Sequence, residues 1–373
     1  MEKSKVYFTD FRTKLGVPIT DKLKKLCRRA GIDTIDMDRK FVAIKMHFGE
    51  LGNVAFLRPN YARAIVELVR EKNGLPFLTD CNTLYPGSRK NALEHLDCAN
   101  LNGFNPISTG CQIIIADGLR GTDDIEVPVP GGEYCKTAFI GHAIMDADIV
   151  ISLSHFKGHE MAGFGGAIKN LGMGCGSRAG KMHQHDSGKP RIIEENCRCC
   201  RRCAKECGSD AISYDSGKAR IDYDLCKGCG RCIGACSFNA IENGNWDAPQ
   251  LLGKKMAEYS AAVCAGRPTF HVSLIMDVSP NCDCHSENDA PIIPDIGMAA
   301  SFDPVALDQA CSDLCNQATP FENSMVGDHM KREDFHDSGD LWHNTHHIVD
   351  WEACLSHAEK IGLGTRKYEL VNM

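Results

Sequence analysis

Residues 149–159 read IVISLSHFKGH, a mostly apolar run that changes abruptly to polar and basic side chains. A short apolar run without alternation is typical of a strand that is buried on both faces of a parallel sheet. Similar runs occur at residues 6–8, 41–46, 76–80, 113–116 and 269–275. Amphipathic, helix-like stretches alternate with them at residues 20–29, 59–72, 89–102, 253–264, 303–317 and 347–360. The alternation predicts an α/β fold, with a mostly parallel sheet and flanking helices.

The composition is that of an ordinary globular protein. Hydrophobic residues make up 43% and charged residues 24% of the 373 residues, which is enough for a large core. The formal net charge of −7 argues against nucleic acid as a partner, because phosphate binding needs a basic face. No run approaches the roughly 18 apolar residues of a membrane span, and no apolar signal region opens the chain. We therefore expect a cytoplasmic protein that binds neither nucleic acid nor membrane.

The cysteine content is unusual, because 21 cysteines are present and nine of them lie in residues 197–236. Clustered cysteines in a chain without an export signal indicate metal ligands rather than a disulfide framework. Eight of the nine fit the spacing C-x2-C-x2-C-x3-C twice, as Cys197, Cys200, Cys203 and Cys207, then Cys226, Cys229, Cys232 and Cys236. Zinc sites use ligand pairs that a longer loop separates, so zinc explains these two full runs less well than iron does.

The two runs resemble those of two-cluster bacterial ferredoxins, in which the fourth cysteine of each run binds the other cluster. By that rule, one 4Fe–4S cluster binds to Cys197, Cys200, Cys203 and Cys236. The second cluster then binds to Cys226, Cys229, Cys232 and Cys207. The resemblance departs from the family in one respect, because proline usually follows the fourth cysteine and Gly208 and Ser237 stand there. That departure concerns the local turn and leaves the ligands unchanged.

The ferredoxin-like segment divides the chain. We expect one α/β domain in two parts, residues 1–190 and 244–373, interrupted by a small α+β ferredoxin-like insertion at residues 191–243. The surplus Cys199 lies among basic residues, namely Arg198, Arg201, Arg202 and Lys205. These cations either offset the thiolate charge of the nearby cluster or form a docking face for an acidic electron carrier.

A second group of chemically active residues follows the apolar run at 149–153. His155, Lys157 and His159 stand where that strand should end, and Lys169 lies in a glycine-rich phrase at residues 163–174. Ligands bind at the carboxyl ends of strands in open α/β sheets, so these four residues are candidate catalytic groups. The lysines could hold a small anionic ligand, and the histidines could bind metal or transfer protons. Otherwise the stretch is a loop that packs the insertion against the main domain.

Three further features complete the candidate sites. Cys282, Cys284 and His285 could bind an additional metal or cluster, or the two thiols could form a redox-active pair; the alternative is a loop with unrelated cysteines. Asp303 precedes a helix and is expected to cap it. His47 stands at another strand end and could face the same crevice. The polar, His-rich segment at residues 328–347 is expected to be a surface loop.

Several phrases together resemble the domain of unknown function 362 family in its form with an inserted ferredoxin. They are residues 154–159, 163–174, 282–284, 294–297 and 303–308, and the likeness extends over nearly the whole chain. The resemblance implies an iron–sulfur protein of anaerobic or facultative microbes. It implies no settled reaction or substrate.

The sequence therefore predicts an iron–sulfur protein that transfers single electrons, with a redox protein as partner. One hypothesis is an oxidoreductase whose clusters exchange electrons with a substrate or metal site on the α/β domain. A second is a non-catalytic electron carrier or cluster-delivery protein, and a third is a module that senses a small anion. No complete nicotinamide or flavin fingerprint is present, so the choice between enzyme and carrier stays open.

Overall fold

The computed structural model describes residues 3–85, 87–185, 189–214, 217–244, 249–287 and 289–373. In these ranges the strands are β1 (Ser4–Asp10), β2 (Phe41–Lys45), β3 (Leu75–Asp80), β4 (Gln112–Ile115), β5 (Asp124–Pro128), β6 (Thr137–Gly141), β7 (Ile149–His155), β8 (Lys157–His159), β9 (Gly163–Gly165), β10 (Pro190–Ile192), β11 (Ile212–Ser213), β12 (Arg220–Ile221), β13 (Ile241–Asn243), β14 (Thr269–Ile275), β15 (Gly297–Ser301) and β16 (Tyr368–Asn372). The helices are α1 (Ile19–Arg29), α2 (Pro59–Glu71), α3 (Ala92–Leu101), α4 (Pro106–Thr109), α5 (His142–Asp146), α6 (Ala167–Cys175), α7 (Arg178–Gln184), α8 (Arg202–Lys205), α9 (Arg231–Ala235), α10 (Pro249–Cys264), α11 (Pro304–Asn316), α12 (Met325–Met330), α13 (Leu341–Thr345) and α14 (Trp351–Lys360).

Eight of these strands form one large sheet in the order β16-β1-β15-β14-β7-β2-β3-β4. Neighbouring strands are parallel, except that β15 runs antiparallel to both β1 and β14. The predicted α/β fold with a mostly parallel sheet is therefore confirmed. The sheet combines strands that precede and strands that follow the cysteine-rich segment. The domain boundaries at residues 190 and 244 stay a prediction.

The sheet is covered by helices on both faces. Every residue of β7 is buried, as expected for a central parallel strand. Alternate residues of β2 serve opposite faces: Val42 and Ile44 pack into the cluster that contains residues of α1 and α2, whereas Ala43 packs towards α10. Among the described residues, no helix is long and apolar enough to cross a membrane.

The cysteine-rich segment forms small elements of its own. Strands β10 and β13 pair with each other, as do β11 and β12, and neither pair joins the large sheet. The short helices α8 and α9 contact one another, and each begins just after the second cysteine of its run. These elements pack on α7 and on the loop after β3, through Met182 and Leu84.

The prediction of a surface loop at residues 328–347 is wrong. The segment contains α13, whose Leu341 and Trp342 are buried, with Trp342 completely inaccessible. The Trp342 indole N–H donates to the Ser312 hydroxyl at 2.8 Å. Most residues of the segment are polar, so its sequence shows no clear sign of a buried helix. The helix nevertheless places Leu341 and Trp342 in the core.

Asp303 caps α11, as expected, and also ties the chain termini together. Its Oδ1 accepts hydrogen bonds from the backbone N–H groups of Val305 and Ala306, each at 2.9 Å. Its Oδ2 accepts from the Ser4 hydroxyl at 2.7 Å and from the backbone N–H of Thr365 at 2.9 Å. One carboxylate therefore links β1, α11 and the segment that leads into β16.

The Asp303→Ala variant is expected to lower the free energy of unfolding by about 2 kcal/mol, because it removes a helix cap and two further hydrogen bonds. Chemical denaturation followed by circular dichroism measures the loss. The matched control is Asp350→Ala, since Asp350 accepts from Ala353 only at the start of α14; that loss should be about 1 kcal/mol. Equal losses in the two variants would contradict the linking role of Asp303.

Candidate functional site

A cavity of about 650 Å³ opens at the carboxyl ends of the parallel strands. Lys45 ends β2, Asp80 ends β3 and His155 ends β7, and all three line this cavity. The position agrees with the general rule for ligand sites in open α/β sheets. The cavity is large enough for a small molecule. We refer to it below as the central pocket.

The structure places the predicted site residues around the central pocket. Those that line it are His155, Lys157, His159, Lys169, Cys284 and His285. His47 lines it as well. Cys282 lies directly behind this wall and is only 1% exposed. Residues that are far apart in the chain therefore meet at one site.

Lys169 is brought to the pocket by α6. The α6 helix begins at Ala167 with no side-chain cap of its own. Asp308 of α11 supplies the missing acceptor, because its carboxylate accepts from the backbone N–H groups of Ala167 and Ile168 at 2.7 and 2.9 Å. Gly166 is required at this junction, since a Cβ there would lie 2.3 Å from Asp308 Oδ1. The buried carboxylate thus fixes the direction of the helix that carries Lys169.

Asp283 joins two of the predicted residues. Its side chain is 1% exposed; His155 Nδ1 lies 3.0 Å from its Oδ2, and Lys157 Nζ lies 3.1 Å from its Oδ1. Burial opposes the charge, but the Lys157 ammonium and the neighbouring histidines hold the pKa of Asp283 well below its usual range. His155 Nε2 lies 2.7 Å from the Met276 carbonyl oxygen. Both ring nitrogens of His155 are therefore engaged, which favours a positioning role.

Cys282 is surrounded by positive charge. Lys169 Nζ lies 3.3 Å from its sulfur. Burial works against the thiolate, but the hydrogen bond from Cys284 and the charges of Lys157 and Lys169 hold the pKa of Cys282 well below the usual value. That same hydrogen bond, followed by burial, raises the pKa of Cys284 well above the usual value. The surroundings thus favour the thiolate form of Cys282 over that of Cys284.

His159 and His285 flank this pair. His159 Nδ1 accepts from the backbone N–H groups of Met161 and Ala162 at 3.1 and 3.2 Å, so its proton lies on Nε2, which faces Cys282. His285 Nε2 lies 2.8 Å from Glu160 Oε1. The other carboxylate oxygen of Glu160 accepts from the backbone N–H of Cys282 at 3.3 Å. Glu160 therefore connects His285 to the thiol loop.

The additional metal site predicted at Cys282, Cys284 and His285 stays a prediction. Across the described ranges, no group of three or more His, Cys, Asp and Glu side chains is placed so that it could hold a metal ion. Cys282 is paired with Lys169 and His285 with Glu160. A lysine ammonium beside a sulfur atom would repel a metal cation. The redox-pair interpretation of Cys282 and Cys284 fits these contacts better.

The pocket lining also contains charged residues that sequence reasoning missed. Lys45 is 1% exposed, and its Nζ lies 2.9 Å from Asp80 Oδ1. Arg89 Nε lies 3.0 Å from Glu50 Oε2, and Arg89 also donates to the Cys284 carbonyl at 3.0 Å. One signal was available for Lys45, because a lysine that ends an apolar strand is unusual. Arg89 carried no comparable signal.

The two cysteine runs have matching backbones. Cys199 and Arg201 adopt positive φ angles of 52° and 62°, and their counterparts Gly228 and Gly230 adopt 70° and 67°. Asp210 and Asn239, which follow the two fourth cysteines at the same spacing, both have φ of 51°. Backbone N–H groups also donate to equivalent sulfurs, Ala211 to Cys207 at 3.2 Å and Ala240 to Cys236 at 3.3 Å. The segment is therefore an internal repeat in structure as well as in spacing.

Four cysteines from the two runs surround one small cavity. Its lining includes Cys197, Cys200, Cys203 and Cys236, together with Tyr214 and Phe238. The last of these cysteines comes from the second run. In the second group, burial is the main cause that raises the pKa of Cys232, followed by the charges of Cys229, Cys226, Cys203 and Cys207. The fourth cysteine of the second run thus lines one cavity together with three cysteines of the first run.

The cysteine-rich segment lies against the wall of the central pocket. Leu84 belongs to the buried cluster that contains Cys197, Cys203, Cys232 and Cys236, and it also lines the pocket. On α7, Arg178 is completely buried against Gly230 and Gly234 of the second run. Its Nε and Nη1 have no hydrogen-bond partner among the described residues. A buried cation with unpaired donors beside Cys232 suits a negatively charged ligand at that place.

Comparison with known proteins identifies a family without a described activity. The family described as "Domain of unknown function (DUF362)" matches residues 42–313. A thylakoid-associated protein of Synechocystis sp. is 28% identical over 130 residues, which are 33% of this chain and 34% of that protein. The chain thus spans about a third of this curated relative.

Two solved structures share parts of the architecture. One is the lactate racemase apoprotein from Thermoanaerobacterium thermosaccharolyticum, with 12% identity, 74% of this chain and 51% of that chain covered, and a TM-score of 0.33. The other is a protein from Thermotoga maritima, with 11% identity, 79% and 57% covered, and a TM-score of 0.36. The chain spans about half the length of these proteins.

The Glu160–His285 contact gives a test of the site's electrostatics. The hydrogen bond and the charge of Glu160 raise the pKa of His285, so in Glu160→Gln we expect that pKa to fall to about 6.5 or below. An NMR titration of the histidine ring resonances measures it, with His285→Gln for assignment. The matched control is Glu333→Gln, which removes the same charge from an exposed position. An unchanged pKa of His285 in Glu160→Gln would contradict the contact.

Proposed function

The chain belongs to the domain of unknown function 362 family, and from this premise we propose that it is an iron–sulfur oxidoreductase. In this proposal the cysteines of residues 191–243 hold two 4Fe–4S clusters, and the central pocket binds the substrate. The observation that carries the proposal is the position of Leu84, which belongs to the buried cluster that contains cysteines of both runs and which also lines the pocket. Redox groups held by those cysteines would lie beside the bound substrate.

The donor set fits two cubane clusters. Thiolates are the usual ligands of such clusters, and the fourth cysteine of each run commonly belongs to the other cluster. The cavity lined by Cys197, Cys200, Cys203 and Cys236 has this composition. The cysteine side chains are not themselves arranged as finished metal sites, so the support comes from the repeated backbone, the shared cavity and the N–H groups directed at sulfur.

Such clusters supply one-electron steps whose potential depends on charge, hydrogen bonds and exposure. The protein contributes several of these influences. Ala219, Ala211 and Ala240 donate backbone N–H groups to three of the sulfurs. The Tyr214 hydroxyl lies 3.0 Å from the Cys203 sulfur, and Arg178 adds a buried positive charge beside Cys232. Each of these groups stabilises negative charge on the cysteine sulfurs.

The central pocket favours a small anionic substrate. Lys45, Lys157, Lys169, Lys181 and Arg89 all line it. The Lys181 ammonium donates to the carbonyl oxygens of Gly176 and Gly174 at 2.6 and 3.4 Å, and neither is charged. Lys181 forms no ion pair with a carboxylate of the described residues, although its charge also acts on Asp80 and Asp117. A buried ammonium attracts an anion because the surroundings screen it poorly.

Iron and sulfide content tests the proposal. Protein purified without oxygen is expected to contain about eight irons and eight acid-labile sulfides per chain. Cys232→Ser removes one ligand of one proposed cluster and should lower both contents by about half. Cys199→Ser is the matched control, because Cys199 lies in the same segment outside both proposed tetrads, and its contents should stay unchanged.

Three outcomes of this measurement would contradict the proposal. The first is wild-type protein without iron. The second is a single zinc ion bound to each run. The third is a Cys199→Ser variant that loses as much iron as Cys232→Ser does, because the ligand assignment would then be incorrect.

The proposed electron partner is an acidic carrier protein. Arg198, Arg201, Arg202 and Lys205 are all exposed, and they surround the exposed Cys200. A basic patch at the point where a cluster approaches the surface would attract an acidic carrier and speed its association. The same cations also offset thiolate charge, and the two roles are compatible.

Replacing Arg198 and Lys205 by glutamine should slow reduction by a small acidic ferredoxin about tenfold at low ionic strength, and the difference should vanish in high salt. Stopped-flow absorbance measures this rate. Arg332→Gln is the control, because it removes an exposed charge outside the patch. If the double variant is reduced as fast as the wild type at low ionic strength, the basic patch is not the docking face.

A further inference from the structure

Cys282 and Cys284 occupy different positions relative to the central pocket. Both lie on the loop that follows β14, separated by one residue. Cys284 lines the pocket, whereas Cys282 is 1% exposed and lies behind it. A ligand in the pocket can therefore reach the Cys284 sulfur first. Cys282 can reach only Cys284.

The contacts of Cys282 are those of a thiolate. Lys169 Nζ lies 3.3 Å from its sulfur, and His159 directs its Nε2–H towards the same atom. Asp283 keeps Lys157 beside the pair through the 3.1 Å ion pair. Positive groups that hold a thiolate next to a second cysteine are typical of redox-active pairs. The surroundings are therefore built for sulfur chemistry.

Two other buried cysteines of the α/β domain, both on α11, differ in their surroundings. Cys311 and Cys315 lie one turn apart on α11 and are both completely buried. Burial raises the pKa of each far above the usual value. No lysine or histidine is among the main causes of either shift. These two thiols provide an internal comparison.

We propose that Cys284 and Cys282 form a redox-active dithiol that reduces a small disulfide bound in the central pocket. Cys284 is the attacking cysteine, because it faces the pocket. Cys282 is the resolving cysteine, because it contacts Cys284 and is closed off from solvent. Pocket size favours a small-molecule disulfide over a protein disulfide.

The reaction takes place in two displacements. Cys282 thiolate accepts the proton of Cys284 as the Cys284 sulfur attacks one sulfur of the substrate. The substrate S–S bond breaks, a mixed disulfide forms on Cys284, and the first leaving thiolate receives the proton from Cys282. Cys282 thiolate then attacks the Cys284 sulfur, which forms the Cys282–Cys284 disulfide and releases the second thiolate.

The electrons balance within this sequence. The substrate disulfide gains two electrons and, with one proton from Cys284 and one from water, becomes two thiols. The cysteine pair loses the same two electrons and becomes a disulfide. In vitro, a small dithiol reductant reduces the Cys282–Cys284 disulfide back to two thiols. The inference concerns these two cysteines and holds with or without the proposed clusters.

Peptide mapping by mass spectrometry tests the proposal. Reduced protein, prepared without oxygen, is mixed with stoichiometric oxidised glutathione at neutral pH, quenched with acid and alkylated after unfolding. In the wild type we expect the Cys282–Cys284 disulfide and two released glutathione molecules. Cys311 and Cys315 should stay reduced and should therefore be found alkylated. Cys282→Ser should accumulate glutathione on Cys284. Cys284→Ser should leave Cys282 unmodified.

Lys169→Met provides a further variant that keeps both thiols. It removes the ammonium beside Cys282, so formation of the disulfide at neutral pH should slow at least tenfold, and the rate should recover as the pH is raised. Circular dichroism and the thermal transition verify that each variant is folded. The same experiment on Cys232→Ser should give the wild-type disulfide, which separates this proposal from that of the clusters.

Several results would overturn the proposal. One is a wild-type pair that stays reduced, or that is oxidised no faster than Cys311 and Cys315. Another is glutathione bound to Cys282 in Cys284→Ser, because the order of attack would then be reversed. A third is a rate in Lys169→Met equal to that of the wild type at every pH.

Discussion

The central pocket depends on a balance of buried charges that come from distant parts of the chain. Asp283 alone would be costly to bury, and so would Lys157; at 3.1 Å each removes the other's penalty. The same holds for Lys45 with Asp80 and for Lys169 with the Cys282 sulfur. Removing one partner would leave an uncompensated charge in the core. The Asp283–Lys157 and Cys282–Lys169 pairs therefore fix the loop after β14 against β8 and α6, and the Lys45–Asp80 pair joins the ends of β2 and β3.

This constraint has a chemical consequence. Because Lys157 and Lys169 are held beside the loop of residues 282–285, the pKa of Cys282 is lowered and its thiolate form is favoured over that of Cys284. The cysteine-rich segment adds its own packing on the opposite side, through Leu84 and Met182. The pocket is thus enclosed between a reactive loop and a segment with the spacing of a ferredoxin. Both proposals follow from that arrangement and can fail separately.

Much of the fold could be predicted from the sequence, because its central strands are uninterrupted apolar runs and its helices have a clear period. Short elements such as α6, α7 and α13 could not, since glycines or polar residues mask their few buried side chains. The residues of the site likewise include some that could be predicted from the sequence and some that could not. His155 and Lys157 follow an obvious strand, so their position was predictable. Arg89 and the partner role of Asp308 arise only from tertiary packing, which places residues from separate elements together.

The central claim is that the cysteines of residues 191–243 hold two neighbouring 4Fe–4S clusters. Low-temperature electron paramagnetic resonance of protein purified without oxygen and reduced with dithionite tests it most directly. The account predicts the signal of reduced 4Fe–4S clusters, broadened by magnetic interaction between two of them, and a simpler unbroadened signal in Cys232→Ser. A wild-type sample with no signal, and with no change of visible absorbance on reduction, would contradict it.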